Sequence, residues 1–248
     1  MKKCSDRDGV DTLNCRSAAR YFLLFFLAAG AMPAQPTGQV SGIIQVDAGA
    51  ALAGAVVTAT HVFSPSGDPL QKPAYTISKA GGSFVFGGLA AGTYRFCVQV
   101  TGSDVLDPCL WPSTAPSAIV NLAQGQQVAG FAITVKRGVP VYVRMDDPAG
   151  FMQNQQTSGK STAILVSVAE PRGIMHHSAV VVDDASGRTY RIVVPADTSL
   201  NLLVQSPNVQ LNDAQGAQLA AQPAPTPFQV SHGTPAQLFR FSVQGMAP

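Results

Sequence analysis

The chain has 248 residues, 46% of them hydrophobic and 12% charged, with 23 Gly, 18 Pro, five Tyr, one Trp and a formal charge of +2. Such a composition buries a real core, and its density of turn residues favours short strands and corners over a helical bundle. The small, scattered charge excludes the clustered Lys/Arg face that phosphate binding needs and the polybasic block that recommends a membrane surface.

An apolar run from Tyr21 to Ala31 follows Lys2, Lys3, Arg7, Arg16 and Arg20 and leads into small residues. It is too short to span a bilayer comfortably and reads as a secretory signal peptide over residues 1–34, with cleavage after Ala31 or after Ala34. The long leading region, with three Asp, also allows a later start or an uncleaved anchor, which would be the chain's only membrane contact. No Cys stands directly after the run, which argues against a lipoprotein anchor there. Without residues 1–34 the chain keeps 11 Lys/Arg and 11 Asp/Glu, so the basicity belongs to the signal and nucleic acid is not an expected partner. The expected location is exported: periplasm, outer envelope or extracellular space.

Alternation of apolar and polar residues then continues along the chain. Val40–Val46, Gly54–Phe63, Ala74–Ile77, Ser83–Phe86, Tyr94–Val100, Ala118–Leu122 and Gly130–Val135 are short β-branched or aromatic runs parted by Gly, Pro or Asp. Their number and spacing predict an all-β sandwich. Within KAGGSFVFGGLAAGTYRFCV, Phe84 and Phe86 share one face, and Tyr94, Phe96 and Val98 share another. Cys97 falls on the opposite face of that strand. Cys97 and Cys109 form an even pair in the exported part, most simply one disulfide in an oxidising compartment; a reactive thiol or metal pair would lack a nearby His.

A second set of strands aligns with the first. Gly125, Phe131, Ile133 and Val135 superimpose on Gly233, Phe239, Phe241 and Val243, and Tyr94, Phe96 and Val98 on Leu200, Leu202 and Val204. The repeat unit is a whole module, which predicts two sandwiches in tandem, over 38–136 and 137–248. Gln153–Thr162 and Ala220–Pro227 are polar or Pro-rich breaks expected as exposed loops.

GQVSGIIQVD, LAGAVVTA (52–59) and GGSFVFGGLAAGTYRFCVQV together resemble the carboxypeptidase regulatory-like domain, a transthyretin-like (prealbumin-like, Ig-like) β-sandwich related to Cna-B domains. The pattern positions are held by Gly54, Ala55, Val57, Gly82, Phe84, Phe86, Leu89, Gly92, Tyr94 and Val98. Ser78-Lys79 stands where Thr-Asp is usual and Ala91 where Pro is usual. The resemblance covers 38–136 well and 137–248 weakly. It implies a secreted or envelope-associated module that supports or binds envelope proteins or polysaccharide, without peptidase activity, since catalysis in such proteins resides in a separate domain. Gly54, Gly82, Phe84, Phe86, Gly92 and Tyr94 would then determine the fold.

No residue pattern points to catalysis or a cofactor. Without the signal the chain has one Glu, Glu170, and four His (His61, His176, His177, His232), with no H-E-x-x-H or H-x-x-E. His176-His177 reads as a solvent-exposed loop pair, because neighbours on a strand point to opposite faces. Gly159-Lys160-Ser161 lacks the Gly that a phosphate loop needs five residues earlier, at Asn154. Asp146-Asp147 and Asp183-Asp184 sit beside Gly-containing turns, where Asp caps backbone. Sugar binding is the functional alternative, using exposed aromatic platforms. Trp111 would carry it, with Tyr75 and Tyr142 as companions. In the competing and favoured reading Leu110-Trp111-Pro112 folds down to cap the end of the sandwich.

Overall fold

The computed structural model describes residues 36–47, 49–112, 118–153, 162–220 and 223–246. The signal segment 1–34 and the Gly159-Lys160-Ser161 run lie outside the described residues.

The described residues form four sheets. In the first, β1 (Gly38–Val46) pairs antiparallel with β2 (Ala50–Ala51) and β5 (Ser83–Leu89) and parallel with β8 (Gln127–Val135). The second, β3 (Val56–Phe63), β4 (Ala74–Ile77), β6 (Gly92–Gln99) and β7 (Ala118–Leu122), has the antiparallel order β4-β3-β6-β7. The third orders β9 (Val139–Asp146), β12 (Ala179–Asp184), β13 (Gly187–Val194), β15 (Val209–Asn212) and β17 (Gln237–Met246) as β12-β13-β9-β17-β15. The fourth, from β10 (Leu165–Ala169), β11 (Met175–His177), β14 (Leu200–Gln205) and β16 (Thr226–Phe228), is ordered β11-β10-β14-β16. The strand relations recur. As β8 lies parallel to β1, so β17 lies parallel to β9, and β4-β3-β6-β7 has its counterpart in β11-β10-β14-β16. Only Lys136, Arg137 and Gly138 separate β8 from β9.

Period-two alternation explains both cores. On β6, Tyr94, Phe96 and Val98 are buried while Arg95 and Gln99 face solvent; on β14, Leu200, Leu202 and Val204 take the buried face. The first apolar cluster gathers Ile44, Phe84, Phe86, Phe96 and Ile133, and Phe86 meets Phe96 edge to face at 5.7 Å. The second gathers Val141, Met145, Val168, Leu202 and Val243. Each fully buried side chain of this size contributes about 1.5–3 kcal/mol.

The corner before β5 shows why its residues are small. Gly82 holds φ 73°, and a Cβ there would lie 2.3 Å from the Ile44 carbonyl oxygen, so no other residue fits without moving β1. Ser78, where Thr is usual in the pattern, is buried. Its hydroxyl accepts from Ala55 N at 2.9 Å and donates to the Leu52 carbonyl at 2.7 Å, fixing the approach to β3 through the Gly54 turn.

Candidate functional site

The three aromatics expected as a platform are not brought together. Tyr75 is 68% exposed on the edge strand β4, Tyr142 is half-buried on β9 of another sheet, and Trp111 is 2% exposed. A sugar ring stacks only on a face it reaches, so Trp111 offers no platform. Its burial follows the capping alternative, with a different destination: Trp111 and Leu106 belong to the second apolar cluster, not the first.

The loop that delivers them runs from Thr101 to Pro112. Cys97, on the outer face of β6, is joined by a disulfide to Cys109, closing a loop of sequence separation 12. Asp107, itself buried, shapes that loop. Its Oδ1 accepts from Cys109 N at 2.8 Å, and its Oδ2 accepts from Gln99 Nε2 at 2.9 Å. Cys97, Cys109 and Asp107 also bring two sulfurs and a carboxylate within 4.8 Å, but in the disulfide both sulfurs are already bonded to each other and are poor metal ligands. At the other end of the loop, Gly138 N donates to the Asp104 carbonyl at 2.6 Å and Leu106 N to the Lys136 carbonyl at 2.9 Å. Arg191 Nη2, from β13, donates to the Ser103 carbonyl and to Asp104 Oδ1, each at 2.7 Å.

Trp111 lands on His176. The indole and imidazole stack with centroids 3.6 Å apart, and His176 Nε2 lies 3.0 Å from Glu170 Oε1, with both side chains buried. The expected exposed loop pair is therefore corrected: His176 and His177 sit on β11, His176 inward and His177 outward. Burial against Trp111 and the β10–β11 hairpin accounts for this. The same burial is the main cause of a lowered His176 pKa, opposed by the bond to Glu170. A cleft of about 230 Å³ opens beside the pair, lined among others by Gln99, Asp107, Trp111, His177 and Arg191. Of its polar groups, Gln99 donates to Asp107, and Arg191 to Asp104 and the Ser103 carbonyl.

A second polar cluster closes the far end of β6. Tyr94 is buried, and its hydroxyl lies 2.7 Å from Gln71 Oε1 and 3.1 Å from the Ala90 carbonyl, sharing its one proton between them. The ring stacks on His61 at 4.7 Å. Gln71 N donates to His61 Nδ1 at 3.0 Å, and Ala90 N donates to Gln71 Oε1 at 3.0 Å. Desolvation raises the Tyr94 pKa. Gly92 makes the arrangement possible: at φ 155° a Cβ would stand 2.0 Å from His61 Nε2. Tyr94 itself is buried in the core. The partners His61 and Gln71 carried no motif.

The paired carboxylates serve turns and ion pairs. Asp147 is fully buried and accepts from Phe151 N at 2.9 Å and Met152 N at 2.6 Å. Asp146 and Asp184 flank Arg144, at 3.2 and 3.3 Å, and Asp146 also meets Arg240 at 2.8 Å.

No family model matches the chain, and no curated protein matches it. Among solved structures it is similar to a streptococcal ancillary pilin, at 14% identity and a TM-score of 0.38, over 84% of this chain and 63% of that one. It is also similar to GBS52, the minor pilin of Streptococcus agalactiae, at 12% identity and TM-score 0.37, over 85% of this chain and 98% of that one. BcpA, the major pilin subunit of Bacillus cereus, gives 11% identity and TM-score 0.30 over 77% and 81%. The chain thus spans less than two thirds of the streptococcal ancillary pilin.

Proposed function

We propose that the chain is an exported, non-catalytic structural module of the cell envelope, in which two prealbumin-like sandwiches, 38–136 and 137–248, are held as one stiff unit and present their outer faces to envelope proteins. The observation that carries this reading is the loop Thr101–Pro112. It follows β6, a strand of the first apolar cluster, and its Leu106 and Trp111 complete the second. A linker of three residues between β8 and β9 adds to the stiffness. The disulfide fits an oxidising compartment and so an exported chain.

The buried ionisable groups support a structural role by how they are used. Asp107 and Asp147 cap backbone amides, Glu170 meets His176, and each is committed to holding a turn or a strand pair. Catalysis needs such groups aimed at a site where a reacting atom fits.

The test is photo-crosslinking from Tyr75 and Leu238, both more than half exposed, in intact cells making the protein, followed by fractionation. Discrete adducts with envelope proteins are expected. Turnover of an ester, glycoside or peptide substrate by the purified chain, or saturable retention on a polysaccharide, would overturn the reading.

A further inference from the structure

The disulfide and the side chain it serves lie on different sandwiches. Cys97 is on the outer face of β6, opposite the strand's members of the first apolar cluster, Tyr94, Phe96 and Val98; of the loop that the bond closes, Val100 and Val105 pack against that cluster from its near end. The effect of the bond falls on Cys109, two residues before Trp111. The two ends of the loop are held differently. Residues 103–106 are tied by backbone bonds to Lys136 and Gly138 and by Arg191. The Trp111 end is tied to β6 through Cys109–Cys97 and through Asp107–Gln99.

We propose that oxidation of Cys97 and Cys109 seats Trp111 against His176 and thereby closes the core of the second sandwich, so that the disulfide is a redox-operated latch acting across the two halves. In the closing step the two thiols together give up two protons and two electrons and form the S–S bond. A disulfide-bearing thiol carrier of the oxidising compartment takes up both protons and both electrons and leaves as the dithiol. In the dithiol form the covalent tie between β6 and the Trp111 end is gone, while Gln99–Asp107 and the contact of Cys109 Sγ with the Phe96 carbonyl remain. The loop regains conformational freedom, and seating the indole on His176 then costs the entropy that the bond had removed. A chain kept reduced before export thus has an open second core, and the lock forms where the disulfide does.

The sole Trp of the chain is its own reporter. The experiment uses the full chain with Cys4→Ser and Cys15→Ser, which leaves one cysteine pair. Trp111 emission and acrylamide quenching are compared in the oxidised, the reduced and alkylated, and the Cys97→Ser/Cys109→Ser forms, with far-UV circular dichroism and hydrogen exchange on the same samples. Breaking the bond is expected to shift the emission to longer wavelength and raise quenching severalfold. The β spectrum should be kept, with amide protection falling in β10, β11 and β13 and holding in β1 and β8. Reoxidising an unalkylated sample with glutathione disulfide should restore all of these signals. A Trp111 as shielded without the bond as with it would overturn the proposal. So would protection lost equally in both sandwiches or a collapse of the β spectrum, either of which makes the bond a general staple.

Discussion

The Trp111 indole, from the loop that follows β6, lies 3.6 Å from the His176 imidazole on β11. The loop leaves a strand of the first apolar cluster and its Trp111 joins the second, so this contact measures how firmly the two clusters are coupled. Replacing Trp111 by Ala should leave a cavity under β11 and lower stability by about 3–5 kcal/mol. Tyr75→Ala, on an exposed edge, should stay within about 0.5 kcal/mol of the parent. Urea denaturation followed by circular dichroism distinguishes the two.

His176 makes stability depend on pH. Its folded pKa lies below the ordinary 6.5, chiefly because burial disfavours the imidazolium. The unfolded chain therefore binds the proton more readily. Stability from this site is complete above pH 6.5 and is lost as the pH falls through that value toward the lowered folded one. Thermal melts of the parent should fall across that window, and His176→Asn should flatten the fall. An equal fall in both would assign the acid sensitivity elsewhere.

Two glycines with positive φ should behave differently. Gly92→Ala drives a methyl group into His61 Nε2 and to within 2.5 Å of the Phe63 carbonyl, and should cost about 3 kcal/mol or more by strain and overpacking together. Gly81, at φ 76°, has nothing within 4 Å of its missing Cβ, so Gly81→Ala should cost only about 1 kcal/mol of backbone strain. Midpoints of urea unfolding give both values.

Tyr94→Phe removes a hydroxyl held between Gln71 and Ala90 and should destabilise by about 0.5–1.5 kcal/mol. The ring stack on His61 should survive it. Protection of the Ala90 amide, which donates to Gln71, should fall in hydrogen exchange, while that of Phe96 stays.

Strand faces were legible because alternation and burial share one period: Phe84, Phe86, Tyr94, Phe96 and Val98 all lie on the side their spacing predicts. The disulfide was legible from cysteine count and compartment. Trp111 was only half legible, since a loop has no period to say which core it enters. The Glu170–His176 pair was missed for a related reason. The turn that joins them, Glu170 N to the Ile174 carbonyl and Gly173 N to the Glu170 carbonyl, puts Ala169 opposite Met175. The available signal was a lone Glu six residues before a His, with Pro171-Arg172-Gly173 between them. His61 and Gln71 meet through tertiary packing that their spacing of ten residues does not encode.

The most direct test of the account is to produce residues 137–248 alone, without the loop that supplies Leu106 and Trp111. The fragment should have an open core that binds a hydrophobic dye, and should melt without a cooperative transition. A fragment that melts sharply and excludes the dye would show that the second apolar cluster closes without Leu106 and Trp111 and that the Trp111 contact is incidental.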